Sequence, residues 1–384
     1  MHLTAKIFTQ LGLRSALFVS PFLALASSVD AQQVRGIDAT IALDQAVFRS
    51  GEPIEVDVTF TNETHEPISF LCWNTPFDVV FFDMFEVTWN GQTLPYEGRT
   101  AFRLPPTRSD FVVLEPFESI STAVDISNFY DLKYDGSYSV SLASFVPPSD
   151  VDMSEFASAG WGTLASNGVA FTVEGGPSVR QGHLHGDDLG QGGGGGVVVD
   201  STDDTVVADP IIDFIVDAVK EACMLAKAAK ECVKGDDYFK KWFGGTSDAC
   251  VAKVKKNFCA IVDAFDKQLN FCIDLGCAPG VVAYVYPCQP CKIYLCPPFF
   301  QPNPIFTPGG VIIHELSHFK NVAGTKDHAY LCKPCCDLAM TDPAKAKENA
   351  DTYRLFAEKK NKPGVIDTLT ASDTSVRTAE VVAQ

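Results

Sequence analysis

Between residues 34 and 173 apolar side chains recur at every second position. Ile54, Val56, Val58 and Phe60 alternate with Glu55, Asp57 and Thr59, so one face of this segment is set for burial and the other for water. Further strands are predicted over Phe85–Trp89, closed by the hairpin signal Asn90-Gly91, over Phe111–Leu114 and Ser119–Asp125, and over 138–142, where Tyr138, Val140 and Leu142 are in phase. Roughly seven short strands punctuated by proline and glycine predict an all-β sandwich over residues 32–174.

The pattern then changes twice. Residues 175–209 carry a glycine run at 192–196, Asp203-Asp204 and too few large apolar residues for a core, which predicts a mobile linker. From residue 210 the period becomes helical. Asp209 and Pro210 fit an N-cap and first helical residue, and Ile211, Phe214, Ile215, Ala218, Val219 and Ala222 place a helix up to about Cys232. A second helix is predicted over 248–271, with Val254, Phe258, Ile261 and Phe265 on its inner side. Residues 281–286 and 292–296 read as strands of a hairpin whose edge could hold a peptide by strand addition. The apolar run 311–313 opens a buried helix. A last helix is expected from Asp342-Pro343 to near Lys362-Pro363, and the tail 363–384, without periodicity, reads as disordered. The predicted class is multidomain: an N-terminal all-β sandwich and a mostly helical α+β domain over 210–362.

Charge and cysteine usage narrow the setting. The formal charge of −18 is spread along the 384 residues, which argues against nucleic acid as a partner. Lys6 and Arg14, the apolar run 16–26 and Val29-Asp30-Ala31 predict a signal peptide over 1–31 and a secreted, extracellular protein. That run, interrupted by Ser20 and Pro21, is too short to span a membrane. Of thirteen cysteines, Cys72 lies alone and the others fall between Cys223 and Cys336. In an exported chain these predict a disulfide framework; the alternative is a four-thiolate zinc site from Cys288-x-x-Cys291 and Cys332-x-x-Cys335. Cys223/Cys232 and Cys250/Cys259 each stand nine apart, a half-turn offset, so both pairs cannot staple one helical interface.

The candidate chemistry sits in the buried helix, in the string H-E-L-S-H. His314 and His318, four residues apart, project from one helical face and can share a zinc ion, with Glu315 beside it. No third histidine follows at the spacing that would complete a three-histidine site. Asp327 is the candidate third ligand, because Gly324 allows the chain to turn back toward the helix. The plain alternative, two histidines on an ordinary helix, conflicts with the apolar lead-in, since unpaired buried imidazoles are costly. His183 and His185 could hold a metal only weakly from within the linker, where a solvated reading is preferred; His65 is isolated.

H-E-L-S-H-F followed by G-T-K-D-x-A-Y resembles the aspzincin metalloendopeptidases, the family of deuterolysin and peptidyl-Lys metalloendopeptidase. YFKKWFGG at 238–245, AYVYP at 283–287, IYLCPPFF at 293–300 and NADTYRLFAE at 349–358 are similar in the same order. The resemblance implies a zincin-type catalytic domain with one zinc ion held by His314, His318 and Asp327, Glu315 as base, and Tyr330 as hydrogen-bond donor to the reacting oxygen. It also implies a disulfide between Cys277 and Cys296. The family usually has glycine after that tyrosine, where this chain has Leu331, which bears on how Tyr330 is oriented. His328, next to a ligand, is a possible competitor for the metal or a support to its ligands, and the surface reading is preferred.

FTNETHEPISFLCWNTPFD and VLEPFESISTAVDIS are similar to the β-domain of family precursors, so residues 32 to about 176 are expected to act as a propeptide, with a permanent substrate-binding or adhesion domain as the alternative. Lysine-specific members place two acids in the pocket for the residue after the scissile bond. The matching positions here are Asp351 and Arg354, which predicts a weakened lysine preference. The function expected is a zinc endopeptidase acting on protein or peptide substrates; the alternative is an inactive, zinc-stabilised binding module.

Overall fold

Strand pairing follows the alternation through the first half of the chain. The computed structural model describes residues 36–73, 75–146, 162–178, 196–202 and 206–361. The signal segment 1–31, His183, His185, Asp203, Asp204 and the tail 363–384 lie outside the described residues. The first half contains β1 (Ile37–Ala42), β2 (Val47–Arg49), β3 (Glu55–Asn62), β4 (Ile68–Leu71), β5 (Phe85–Trp89), β6 (Gln92–Thr93), β7 (Thr100–Arg103), β8 (Phe111–Leu114), β9 (Ser119–Asp125), β10 (Gly136–Val146) and β11 (Gly162–Glu174).

Most of these join one array in the order β6-β5-β10-β11-β1-β3-β9, with β2 alongside β11, while β4 pairs β8. In β3 the inward Val56, Val58 and Phe60 are fully buried while Glu55 and Asp57 face solvent, as a half-buried strand requires. Asn90 and Gly91, both at positive φ, close the β5–β6 hairpin. The region has its own core, centred on Phe48, Phe60, Phe70, Tyr138 and Phe171.

The second half contains β12 (Gly196–Ser201), α1 (Asp209–Cys232), α2 (Asp237–Phe243), α3 (Asp248–Ala264), β13 (Gln268–Ile273), β14 (Val281–Val285), β15 (Lys292–Leu295), α4 (Pro308–His318), α5 (Cys332–Thr341), α6 (Pro343–Ala346) and α7 (Ala350–Asn361). Its sheet runs β12-β13-β15-β14-β7. The helices pack around α4, whose residues Val311, Ile312, Ile313 and Leu316 are wholly buried. Among the described residues no helix is long and apolar enough to cross a membrane.

Four expectations need correction. The linker assignment does not hold at Gly196–Ser201, which pairs in parallel with β13 and packs Val197 and Val199 on the core. The helix expected over 248–271 stops at Ala264. The following turn brings Gln268–Ile273 between β12 and β15, where Leu269 and Phe271 bury as strand residues. The last helix is split at 347–349 because Asn349 pairs with Lys326 across the chain. The strand β7, four residues of the N-terminal half, is an edge of the C-terminal sheet.

Cysteine chemistry is also narrower than the framework expected. Cys277 and Cys296 form a disulfide with Cα atoms 5.9 Å apart. The other eleven cysteines are free thiols, and no three-thiolate cluster forms among the described residues.

Candidate active site

Thr307 opens α4, its hydroxyl accepting a hydrogen bond from the Gly310 amide at 3.0 Å, with Pro308 at the first helical position. The helix then carries its apolar residues into the core and presents His314, Glu315 and His318 with no exposed surface. At its end the chain turns through Gly324, at φ 60°, a conformation glycine adopts without strain. This turn returns Asp327 to the helix. His314 Nε2 lies 3.2 Å from Asp327 Oδ1, His318 Nε2 lies 3.3 Å from Oδ2, and the two imidazole Nε2 atoms are 3.1 Å apart.

Supporting groups aim these donors. The Thr325 carbonyl lies 2.9 Å from His318 Nδ1, a contact that places the proton on Nδ1 and leaves Nε2 free as a ligand. Asp351 lies behind His314, its Oδ1 3.6 Å from Nδ1. Asn349 accepts from the His328 and Ala329 amides at 2.8 and 2.9 Å and donates to the Ala329 carbonyl at 2.9 Å, so it locks the chain just after Asp327. Sequence reasoning assigned Asn349 no role; the one available signal was its place at the head of NADTYRLFAE.

The electrostatics are those of a site short of positive charge. Burial works to keep His314 neutral, but the adjacent Asp327 carboxylate outweighs it and lifts the pKa to about 10. Burial lowers that of His318, against the pull of Asp327. Burial works to raise Asp327, yet the two imidazoles hold it below the usual carboxylate range. Glu315 is pushed up to about 8 by burial and by Asp327, against the opposing pull of His314. Both carboxylate oxygens of Asp327 and both of Glu315 are buried without a hydrogen-bond donor. Two aimed imidazoles and an orphaned buried carboxylate fit a divalent cation of zinc's ligand preference.

The remaining candidates are placed as follows. The Tyr330 hydroxyl donates to the Ala101 carbonyl at 2.9 Å, and its ring stacks on His314 with centroids 6.0 Å apart. Leu331 takes φ 70°, ψ 164°, a region nearly confined to glycine, and its amide donates to Asp351 Oδ2 at 2.8 Å. Arg354 and Asp351 are both buried and bonded to each other, Nε to Oδ1 at 2.5 Å and Nη2 to Oδ2 at 3.0 Å. His328 is half-buried rather than on the surface; burial lowers its pKa to about 4, and it is no part of the ligand cluster.

The aspzincin family, described as lysine-specific metallo-endopeptidase, matches residues 228–358. A protein named extracellular protease from Aeromonas hydrophila is 31% identical over 339 residues, covering 84% of this chain and 92% of that one. This chain belongs to the aspzincins. A neutral protease 2 homolog from Coccidioides posadasii is 25% identical over 333 residues, covering 80% of this chain and 88% of that one. The peptidyl-Lys metalloendopeptidase of Armillaria mellea is 38% identical over 125 residues, 30% of this chain and 34% of that one. The present aspzincin is therefore a zinc metalloendopeptidase, and the relatives matched over most of their length share the N-terminal β-rich half as well as the catalytic half.

Proposed function

We propose that this aspzincin is a secreted endopeptidase in which His314, His318 and Asp327 hold one zinc ion, Glu315 is the base and Tyr330 the donor to the reacting carbonyl oxygen. The observation that carries the reading is the buried meeting of two aimed imidazoles with a carboxylate whose oxygens accept no hydrogen bond. Bound zinc supplies Lewis acidity toward a substrate carbonyl and an attacking water. Glu315, with its raised pKa, takes a proton from that water and returns it to the departing amine nitrogen. Tyr330, kept protonated by burial and by the Asp327 charge, donates its hydroxyl hydrogen to the carbonyl oxygen as negative charge grows there. An inactive binding module would have no use for an unpaired buried Glu315. Casein digestion by the purified protein, abolished by a chelator and restored by zinc, is the expected result; zinc-loaded protein without activity would sink the reading.

The N-terminal β-rich half, which we read as a sandwich, is proposed to act as a propeptide that covers this site. Support comes from β7, which lies along β14 in antiparallel register, Phe102 opposite Ala283 and Ala101 opposite Tyr284. Arg99 stacks over Phe81 and Tyr284, and Lys326 pairs with Asp83 at 3.4 Å, tying the two halves around the cleft. Secreted active enzyme should begin after this region; an N-terminus near Gln32 would favour a permanent domain instead. A lysine preference has little support, because Asp351 is already neutralised by Arg354.

A further inference from the structure

The strand β7 lies along β14 in the way an extended peptide adds to a sheet edge. Its register sets Ala101 opposite Tyr284 and Phe102 opposite Ala283. The Tyr330 hydroxyl donates to the Ala101 carbonyl oxygen at 2.9 Å, and the Phe102 ring lies 4.9 Å from the His314 ring between centroids. That carbonyl therefore meets the side chain assigned to the reacting oxygen, and the residue after it packs on the catalytic helix. We infer that Ala101–Phe102 lies in the register of a scissile bond, and that the pocket for the residue after the cut selects an aromatic or large apolar side chain rather than lysine. This inference rests on the endopeptidase reading above.

The pocket chemistry follows from what surrounds Phe102. Its ring lies edge-on to His314 at 4.9 Å and to Phe306 at 5.4 Å between centroids, and the Arg354 guanidinium carbon sits 5.1 Å from its centre. A guanidinium over an aromatic face is attractive, whereas a lysine ammonium in the same place meets a like charge. Asp351 cannot offset this. Its Oδ1 accepts from Arg354 Nε, and its Oδ2 from Arg354 Nη2 and the Leu331 amide. Glu358 is engaged in the same way, by Arg354 Nη1 at 2.7 Å and the Thr307 amide at 2.9 Å. Turning either carboxylate to a lysine would unpair a buried arginine. Strand alternation sends Ala101 and Arg103 to the opposite face, where Arg103 pairs with Asp78 of the N-terminal half at 2.7 Å. Selection therefore falls on Phe102, whose ring packs against His314 of the catalytic helix.

The secreted active enzyme is tested on two peptides spanning residues 98–106, one native and one carrying Phe102→Lys, and on a denatured proteome read by cut position. The native peptide should be cut between Ala101 and Phe102 with kcat/KM on the order of tenfold or more above the lysine peptide. Proteome cuts should concentrate before aromatic and large aliphatic residues. Equal rates, or cuts chiefly before lysine, overturn the inference while chelator-sensitive casein digestion leaves the endopeptidase reading standing. A readout that needs no activity is hydrogen exchange of the full chain: Phe102→Lys should speed exchange at the β7 amides well beyond Phe102→Leu, and equal protection in both variants overturns the pocket assignment.

Discussion

Two buried ionic clusters lie back to back between α4 and α7, and they are built on opposite plans. In the Asp351–Arg354–Glu358 cluster each carboxylate oxygen meets a donor: Arg354 reaches both acids, and the Leu331 and Thr307 amides supply the rest. In the His314–His318–Asp327 cluster the Asp327 oxygens face imidazole nitrogens and accept no hydrogen bond, and the neighbouring Glu315 oxygens have no donor. A satisfied buried cluster is a structural fixture, since disturbing it leaves a charge unpaired. An unsatisfied one persists only where something else completes it, a part that the proposed cation and its water would play here. His314 belongs to both, with Nε2 toward Asp327 and Nδ1 toward Asp351, so the closed cluster orients the open one.

The sharpest way to break this contrast is Asp327→Ala. Zinc affinity should fall by more than the roughly 10–100-fold typical of losing a supporting group, and activity with it. Full zinc content in that variant, measured by atomic absorption, would move the third ligand elsewhere. Glu315→Gln should keep the metal and lose about 10²–10⁴ in kcat, because its proposed role is to move a proton without holding the ion; parental turnover would remove it from the mechanism.

Disturbing the closed cluster should show in stability rather than in metal content. Arg354→Met leaves Asp351 and Glu358 facing each other without a counter-charge and should cost about 3–5 kcal/mol in urea unfolding, with much of that recovered when both acids are also made neutral. A lone Arg354→Met as stable as the parent would mean that the cluster holds nothing together. Away from both clusters, replacing Cys277 and Cys296 by alanine opens a loop with a sequence separation of 19 and should cost about 3 kcal/mol on the chain-entropy estimate; an unchanged urea midpoint would show the bond to be incidental. The smallest expected change is a gain. Leu331→Gly relieves a positive-φ leucine and should stabilise by about 1 kcal/mol, offset in part by the lost side chain. A loss of stability would show that the leucine contacts outweigh the strain.

Much of the site was legible because its determinants are local. The i, i+4 histidines, the glutamate between them and the apolar lead-in are properties of one helix, and Gly324 marks a turn whatever the rest of the chain does. The resemblance extended this to Tyr330 and to Cys277–Cys296. The α3–β13 boundary was not legible. Val262, Phe265 and Leu269 continue a helical stripe past the true end of α3, and the choice is made by β12 and β15, which offer Gln268–Ile273 a partner on each side. Asn349 was missed for a related reason. A polar residue between two helical segments carries no signal until His328 and Ala329 are brought to it.

The sequence by itself determined the periodicities, and through them a β-rich first half, a helical second half and a histidine–glutamate–histidine face turned toward a core. Tertiary structure decided what no window of residues contains. It chose that Thr100–Arg103 leave the first half for the edge of β14, that Asp351 spend its charge on Arg354, and that Phe102 stand where a substrate side chain would. Each of these depends on groups far apart in sequence whose hydrogen-bonding and charge requirements can be judged only once they are neighbours.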